Sequence, residues 1–338
     1  MPLEGSPSAA FLLPEGWSEP ERVEDCVDAD GLVLHRAGLA SSSGKDQAVG
    51  SAADWERSPA MRARFELLER IALLEASRSE VRVFAVRTAS GESVGRLARE
   101  EVFPVSDEPT RWSYVRSNGV ALHADWSRAC ASALHELVER DRVQRAWLGE
   151  TVPRALELDL AASPLSRTRS YAWSAYAFPS APEMPLPELE VVGLFGFPLT
   201  QGAPLTFGYG ARPTLEDALG AATREAAQFL AFVWGEPIPE RVPEPEPTPL
   251  AHLERFQVPE MHGVLRRWLE GAHTRHARAV TPSAGTSSAV QFVDLTPPWL
   301  ADGLQVARAV GGFTVPMTFG QSPLFAHLPP ELRIHPIP

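Results

Sequence analysis

The chain is 338 residues long, 44% hydrophobic and 22% charged, with a formal net charge of −12. Such a length and balance fit a soluble globular protein with a sizeable core in one or two domains. The acidic excess speaks against a general nucleic-acid binder and against a protein of anionic membrane surfaces, since both need a basic footprint, and no apolar run reaches the roughly 20 residues of a membrane span.

The opening MPLEGSPSAAFLLPEGW has neither a basic start nor a long apolar core, so no signal peptide is expected. Residues 1–22 are rich in Pro, Gly, Ser and Glu and read as a flexible arm. Cys26 and Cys130 form neither a disulfide framework nor a zinc pattern, which points to a reducing cytoplasm. Cys130, among small apolar residues, reads as core. Pieces such as GLVLH within 23–39 are β-prone, and SSSGKDQAVGS (41–51) reads as a flexible polar loop. RARFELLER then sits in a helical setting with Phe65, Leu67, Leu68, Ile71 and Leu73. EVRVFAVR alternates as a strand does, and Asn118-Gly119 signals a turn. In a second helix Ala129, Ala133, Leu134, Leu137 and Val138 recur at three- and four-residue steps.

Beyond it, strands are predicted over 154–160, 170–178, 188–197 and 204–210, then a helix over 215–232. The acidic, Pro-rich 235–249 reads as an exposed loop. An amphipathic helix over 261–272 precedes His273 and His276, an i, i+3 pair with no third ligand nearby, which favours a surface turn. Strands are expected over 289–295 and 304–309, and the prolines of the tail ELRIHPIP forbid a helix there. Strands and helices alternate without a strict βαβ rhythm, so the expected fold class is α+β, mixed sheets packed with helices.

The pattern Glu, two residues, Glu, Arg occurs twice: Glu66, Glu69 and Arg70 in FELLER, and Glu136, Glu139 and Arg140 in SALHELVER, with Ser132 on the same face. Residues three or four apart share a helix face, and two carboxylates on one face repel unless a cation lies between them. The helix after 215 offers Glu225 and Gln228 at the same step. Three helices could bring these carboxylates to one divalent-cation site; hard oxygens suit Mg²⁺, which takes one or two carboxylates together with nucleotide phosphates. The alternative for each copy is a solvated acidic edge with its arginine as an intrahelical partner.

As a set, SALHELVER, FELLER, FGYGARPTLEDALGAATREAAQ, VDLTPPWL and the terminal HPIP resemble the YcaO superfamily, nearest to its azoline-forming cyclodehydratases, over about residues 44–338. The resemblance implies a YcaO-type fold around a central nucleotide site, with 23–338 as one domain. It implies ATP and Mg²⁺ as cofactors, with Glu66, Glu69, Glu136, Glu139 and Glu225 as metal ligands and Arg70, Ser132, Arg140 and Gln228 as nucleotide contacts. Lys45, in Gly44-Lys45, resembles the glycine–lysine loop before the first acidic helix; a plain surface loop is the alternative. The implied reaction is ATP-dependent activation of a backbone amide in a ribosomally made peptide. The nucleophile is then a Cys, Ser or Thr side chain in the azoline branch, and sulfide or an amine elsewhere. The implied partners are a precursor peptide and a separate leader-peptide-binding protein, with a homodimer also open and no nucleic acid or membrane. In azoline-forming relatives a tail of alternating prolines reaches the pocket. Pro336 and Pro338 would stiffen the end here, and His335 becomes a candidate general base; the alternative is a frayed terminus.

Some family positions differ. Ala124 and Arg128 stand where an Asn and a Glu are usual, Arg62 where a Ser is, and Phe229 where an Arg is. Arg128 could pair with phosphate directly or fill the site, and Asp125 could supply an oxygen. Two readings remain: an ATP-dependent peptide-modifying enzyme, or a YcaO-fold protein without turnover that binds a precursor peptide or partner enzyme.

Overall fold

A computed structural model describes residues 13–161, 163–181, 186–277, 289–300 and 303–337. The first elements are three antiparallel strands, β1 (Glu21–Ala29), β2 (Leu32–Ser43) and β3 (Asp46–Asp54). The polar loop expected over 41–51 is therefore a hairpin, with Ser43 opposite Asp46 across a two-residue turn. Gly44 supplies the positive φ of 60° that such tight turns require. Strand propensity is weak for this serine run, but packing against a helix overrides it. That helix, α1 (Ala60–Arg78), buries Ala63, Leu67, Leu68, Ile71 and Ala72 at helical spacing.

The chain continues through β4 (Val83–Arg87), β5 (Ser93–Ala98), the single turn α2 (Arg99–Val102), β6 (Trp112–Tyr114) and β7 (Val120–His123) to α3 (Trp126–Trp147). Asp125 caps α3, its Oδ1 accepting the Arg128 N–H at 2.9 Å. The predicted strands after it are β8 (Arg154–Leu156), β9 (Tyr171–Ala177), β10 (Glu190–Pro198) and β11 (Thr206–Arg212), and α4 (Leu215–Val233) follows at once. Thr214 caps α4 by accepting the Asp217 N–H. Last come α5 (Pro249–Gln257), α6 (Pro259–Leu269), β12 (Val290–Asp294), β13 (Gln305–Gly311) and β14 (Thr318–Gly320).

Besides the hairpin sheet, the strands form a four-stranded sheet in the order β11-β10-β9-β8, a five-stranded sheet β5-β4-β12-β13-β7 and the pair β14-β6. α4 packs on β11 and β10, α1 on β3 and β2, and α3 bridges β13 and β7 on one side to β11 on the other. The largest core lies under α3 and α6, where Trp147, Phe178, Phe195, Phe256 and Trp268 are buried with Ile334 and Ile337 of the tail. Truncating a side chain as large as Trp147 in such packing costs about 3–5 kcal/mol. Cys130 is buried in a smaller apolar cluster as expected, and burial pushes its thiol up to about 12. His273 departs from a surface turn: it is buried, with Nδ1 3.0 Å from the Trp147 carbonyl. Among the described residues no helix is long and apolar enough to cross a membrane.

Candidate functional site

One local device occurs three times. A glycine lets a strand backbone press against its neighbours, and the next residue's N–H is taken by a helix glutamate. A Cβ on Gly50 would meet the Ala63 carbonyl of α1 at 2.0 Å, and the Ser51 N–H donates to Glu66 Oε2 at 2.8 Å. A Cβ on Gly208 would meet Ala226 N of α4 at 2.3 Å, and the Tyr209 N–H donates to Glu225 Oε2 at 2.5 Å. At Gly119 the added atom would meet the Ala309 carbonyl at 2.8 Å and the Leu137 side chain of α3, and the Val120 N–H donates to Glu136 Oε2 at 3.2 Å. Each such bond fixes one oxygen of a glutamate.

Glu69 links two of these units. Its Oε2 accepts the Leu122 N–H at 2.8 Å, on the strand whose Val120 holds Glu136. Amides two residues apart on one strand lie about 7 Å from each other, so the Glu69 and Glu136 carboxylates are neighbours and α1 faces α3. Arg70 of α1 accordingly pulls down the pKa of Glu136 on α3. At the first oxygens of Glu66 and Glu136 stand Arg70, at 3.0 Å, and Arg140, at 3.3 Å.

The acidic row carries unrelieved charge. Burial, then the charge of Glu136, pushes Glu69 up to about 8; burial, then the charge of Glu225, pushes Glu139 up to about 8. Burial also raises Glu136 and Glu225, with Arg140 opposing it at both. Glu225 is nonetheless exposed, because it lines an open cavity, and water there tempers the effect of the surrounding protein. Of the five, only Glu139 accepts no strand amide among the described residues.

The cavity, of about 360 Å³, lies between α3 and α4 over the end of β11. Ser132, Glu136, Glu139 and Arg140 line it from α3, Tyr209 and Arg212 from β11, and Glu225 and Gln228 from α4. Glu66, Glu69 and Arg70 adjoin it through Glu136. Among the described residues no three His, Cys, Asp or Glu side chains form a preformed cage for one ion. Hard oxygens in twos, beside arginines and an open cavity, fit Mg²⁺, which takes one or two carboxylates and completes its shell with phosphate and water.

Two expected contacts lie elsewhere. Asp46 pairs with Arg78 at the far end of α1, so the Gly44-Lys45 turn sits twelve residues, about 18 Å, along that helix from Glu66. Lys45 is thereby placed outside the cavity, because β3 runs antiparallel to α1. His335 is fully buried; Nε2 lies 2.7 Å from the Thr318 carbonyl and Nδ1 accepts the Ile337 N–H at 3.3 Å. Burial, with Arg140 nearby, lowers its pKa to about 4. Pro336 is buried beside it, and Pro338 falls outside the described residues. The cavity also has members that sequence spacing did not single out: His135, Tyr209, Arg212 and Arg224. Only Tyr209, set between two glycines in the middle of β11, carried a visible signal.

The family model described as YcaO cyclodehydratase, ATP- and Mg²⁺-binding, matches residues 96–310, a span that holds α3 and α4 but not α1 or the tail. No curated protein matches the chain. Its fold is similar to that of the YcaO from Methanopyrus kandleri solved with AMPPCP and Mg²⁺, at 18% identity over 86% of this chain and 84% of that one, with a TM-score of 0.54. It is also similar to a heterocyclase in complex with substrate and cofactor, at 14% identity over 94% of this chain and 54% of that one (TM-score 0.57). A third likeness is to a chain of the E. coli microcin synthetase McbBCD complex with pro-MccB17 bound, at 9% identity, 86% and 87% coverage and a TM-score of 0.56. The matched span and the shared fold make the chain a member of the YcaO family, whose cofactors are ATP and Mg²⁺.

Proposed function

We propose that the chain binds ATP with Mg²⁺ between α1, α3 and α4 and activates a backbone amide of a ribosomally made peptide, in azoline formation or related YcaO chemistry. The observation that carries this reading is the convergence of five glutamates from three helices, four of them pinned by a hydrogen bond to a strand amide, beside one open cavity with Arg140 in its wall. Glu66, Glu69, Glu136, Glu139 and Glu225 would hold Mg²⁺. Arg140, Arg70, Ser132 and Gln228 would contact the nucleotide. Bound there, MgATP would supply the phosphoryl group that turns an amide oxygen into a leaving group. The protein's part is orientation: pinned carboxylates cannot swing away when the cavity fills.

The tail enters this reading as a support behind Arg140. His335 has both ring nitrogens engaged and its pKa held near 4, so its role is to anchor Pro336 and Ile337 near Arg140 rather than to take a proton at neutral pH. Residues 23–338 would act as one domain, with 1–22 as an arm, though β1 already begins at Glu21, and with 235–249 as an exposed loop. The partners would be a precursor peptide and a separate leader-binding protein, with a homodimer as a further assembly.

Titration calorimetry with ATP, with and without Mg²⁺, tests the reading. Binding that requires Mg²⁺ and is lost in Glu136→Gln is the expected result. A second reading rests on Ala124 and Arg128, which leave the first turn of α3 without the usual ligand oxygens, and on Phe229, which packs on Phe207 at 4.9 Å. If the wild-type chain binds no ATP at any Mg²⁺ concentration, it is a peptide- or partner-binding protein.

A further inference from the structure

Tyr209 has a feature that the acidic row does not explain. The residue is 4% exposed, yet it lines the cavity, and its hydroxyl has no hydrogen-bond partner among the described residues. The ring cannot turn aside to find one. Phe178, Phe195 and Phe207 contact it edge-on, with ring centroids 5.9–6.0 Å away. Its backbone is equally fixed. Gly208 and Gly210 press β11 onto α4, and the Tyr209 N–H is committed to Glu225. A buried hydroxyl left without a partner destabilises a protein, and a rigid one persists where it serves a bound state.

Three groups define what the hydroxyl faces. Burial above all, and then the charges of Glu225 and Glu139, raise the phenol's pKa well above the ordinary value, with Arg140 opposing them. The phenol is therefore a donor at any working pH, standing between two proposed Mg²⁺ ligands and an arginine. The missing acceptor belongs to whatever fills the cavity beside those carboxylates.

We infer that Tyr209 Oη donates a hydrogen bond to a phosphate oxygen of the nucleotide bound in this cavity, which makes Tyr209 a ligand-contact residue that fixes the triphosphate rather than the nucleoside. The inference rests on the nucleotide reading above. A donor fixed by three aromatic rings loses little entropy on binding, and hydrogen bonds to charged acceptors are the stronger kind.

The test is Tyr209→Phe, which removes one oxygen and keeps the ring. Thermal melting without ligand and calorimetry with MgATP, magnesium tripolyphosphate and adenosine are measured for both proteins. The inference expects an unchanged or higher melting temperature without ligand, because an unpartnered buried hydroxyl has gone. It expects about tenfold weaker binding of MgATP and of tripolyphosphate, with adenosine binding unaltered. Equal MgATP affinity in the two proteins overturns the inference. So does a variant that melts several degrees lower or fails to fold, since the hydroxyl's partner would then lie in the protein. Weaker adenosine binding with tripolyphosphate unaffected overturns the assignment to phosphate. If the wild type itself binds no MgATP, the nucleotide reading fails first and the inference falls with it.

Discussion

The two Glu-x-x-Glu-Arg helices share a motif and differ in what lies behind it. In α1 the Arg70 side chain is 45% exposed; in α3 the Arg140 side chain is 18% exposed, with Nη1 3.3 Å from Met317 Sδ. The second glutamates, Glu69 and Glu139, behave alike, both held near pKa 8 by burial and a neighbouring carboxylate. The motif sets which side chains share a face, and the packing beyond it sets how strongly their charges act. Water screens Arg70, while the segment around β14 and the tail shield Arg140. The α3 arginine should therefore anchor the site and the α1 arginine should trim it.

Replacing each arginine by alanine breaks the comparison most directly. Arg140→Ala strands Glu136, Glu139 and Glu225 without their shared cation. The expected outcome is about 100-fold weaker MgATP binding and a loss of roughly 3 kcal/mol in stability, as when a buried pair loses one partner. Arg70→Ala removes a screened pair and should cost no more than about 1 kcal/mol, with MgATP binding reduced only a few-fold. Equal effects in the two variants, read by urea melts and calorimetry, would dissolve the distinction.

The shield behind Arg140 has its own signature. His335 is neutral in the fold, its pKa lowered from 6.5 to about 4. The unfolded chain takes up that proton first, so stability should be intact above pH 6.5 and fall steadily as pH drops from 6.5 to 4. The fall should reach about 3 kcal/mol for this group alone, and His252, 4.6 Å away between ring centroids and lowered by burial and by His335, adds to it. Melting temperatures from pH 7 to 4.5 measure it. His335→Gln should flatten the slope; an unchanged slope would mean that the tail is not what guards α3.

The matched glutamates sharpen the comparison from the other side. A folded-state pKa near 8 against an unfolded value of 4.5 means that the unfolded chain loses these protons first, so stability should decline as pH rises from about 4.5 to 8. A divalent cation relieves the repulsion. Mg²⁺ should raise the melting temperature by a few degrees at pH 8 and scarcely at pH 5, with proton release visible as a buffer-dependent binding heat. Glu69→Gln and Glu139→Gln should each remove about half of that pH dependence. If only one does, the two copies are less alike than their sequences.

Much of this was legible because it is local. Helical spacing marked α1, α3 and α4. Matched steps put Glu66 with Glu69 and Glu136 with Glu139 on single faces. What was hidden depends on distant partners. The serine run at 41–43 became strand because α1 covers the sheet it joins. Lys45 was placed by β3 running opposite to α1, which its own neighbours do not encode. His335 was engaged by Thr318 and Ile337, and the unpartnered hydroxyl of Tyr209 exists only once three aromatic rings and two glycines have fixed it.

The smallest expected effect lies at the entrance to α3. Arg128 is on the cavity face, one turn before Ser132, with 71% of its side chain exposed and Nε 3.3 Å from Asp125. Ala124 is exposed just ahead of the Asp125 cap. Neither is packed, so Ala124→Asn with Arg128→Glu should leave the melting temperature within about a degree: losing the Asp125 pair is offset by an acidic side chain in the first helical turn. An Asn oxygen and a carboxylate placed there add hard ligands at the mouth of the cavity. MgATP should then bind about threefold more tightly, whereas ATP without Mg²⁺ should bind more weakly, because an uncompensated carboxylate repels phosphate. That opposite sign separates a ligand from a mere change in surface charge, which would weaken both. Weaker binding in both conditions would mean that the new oxygens hold no cation and that only the charge at the start of α3 has changed.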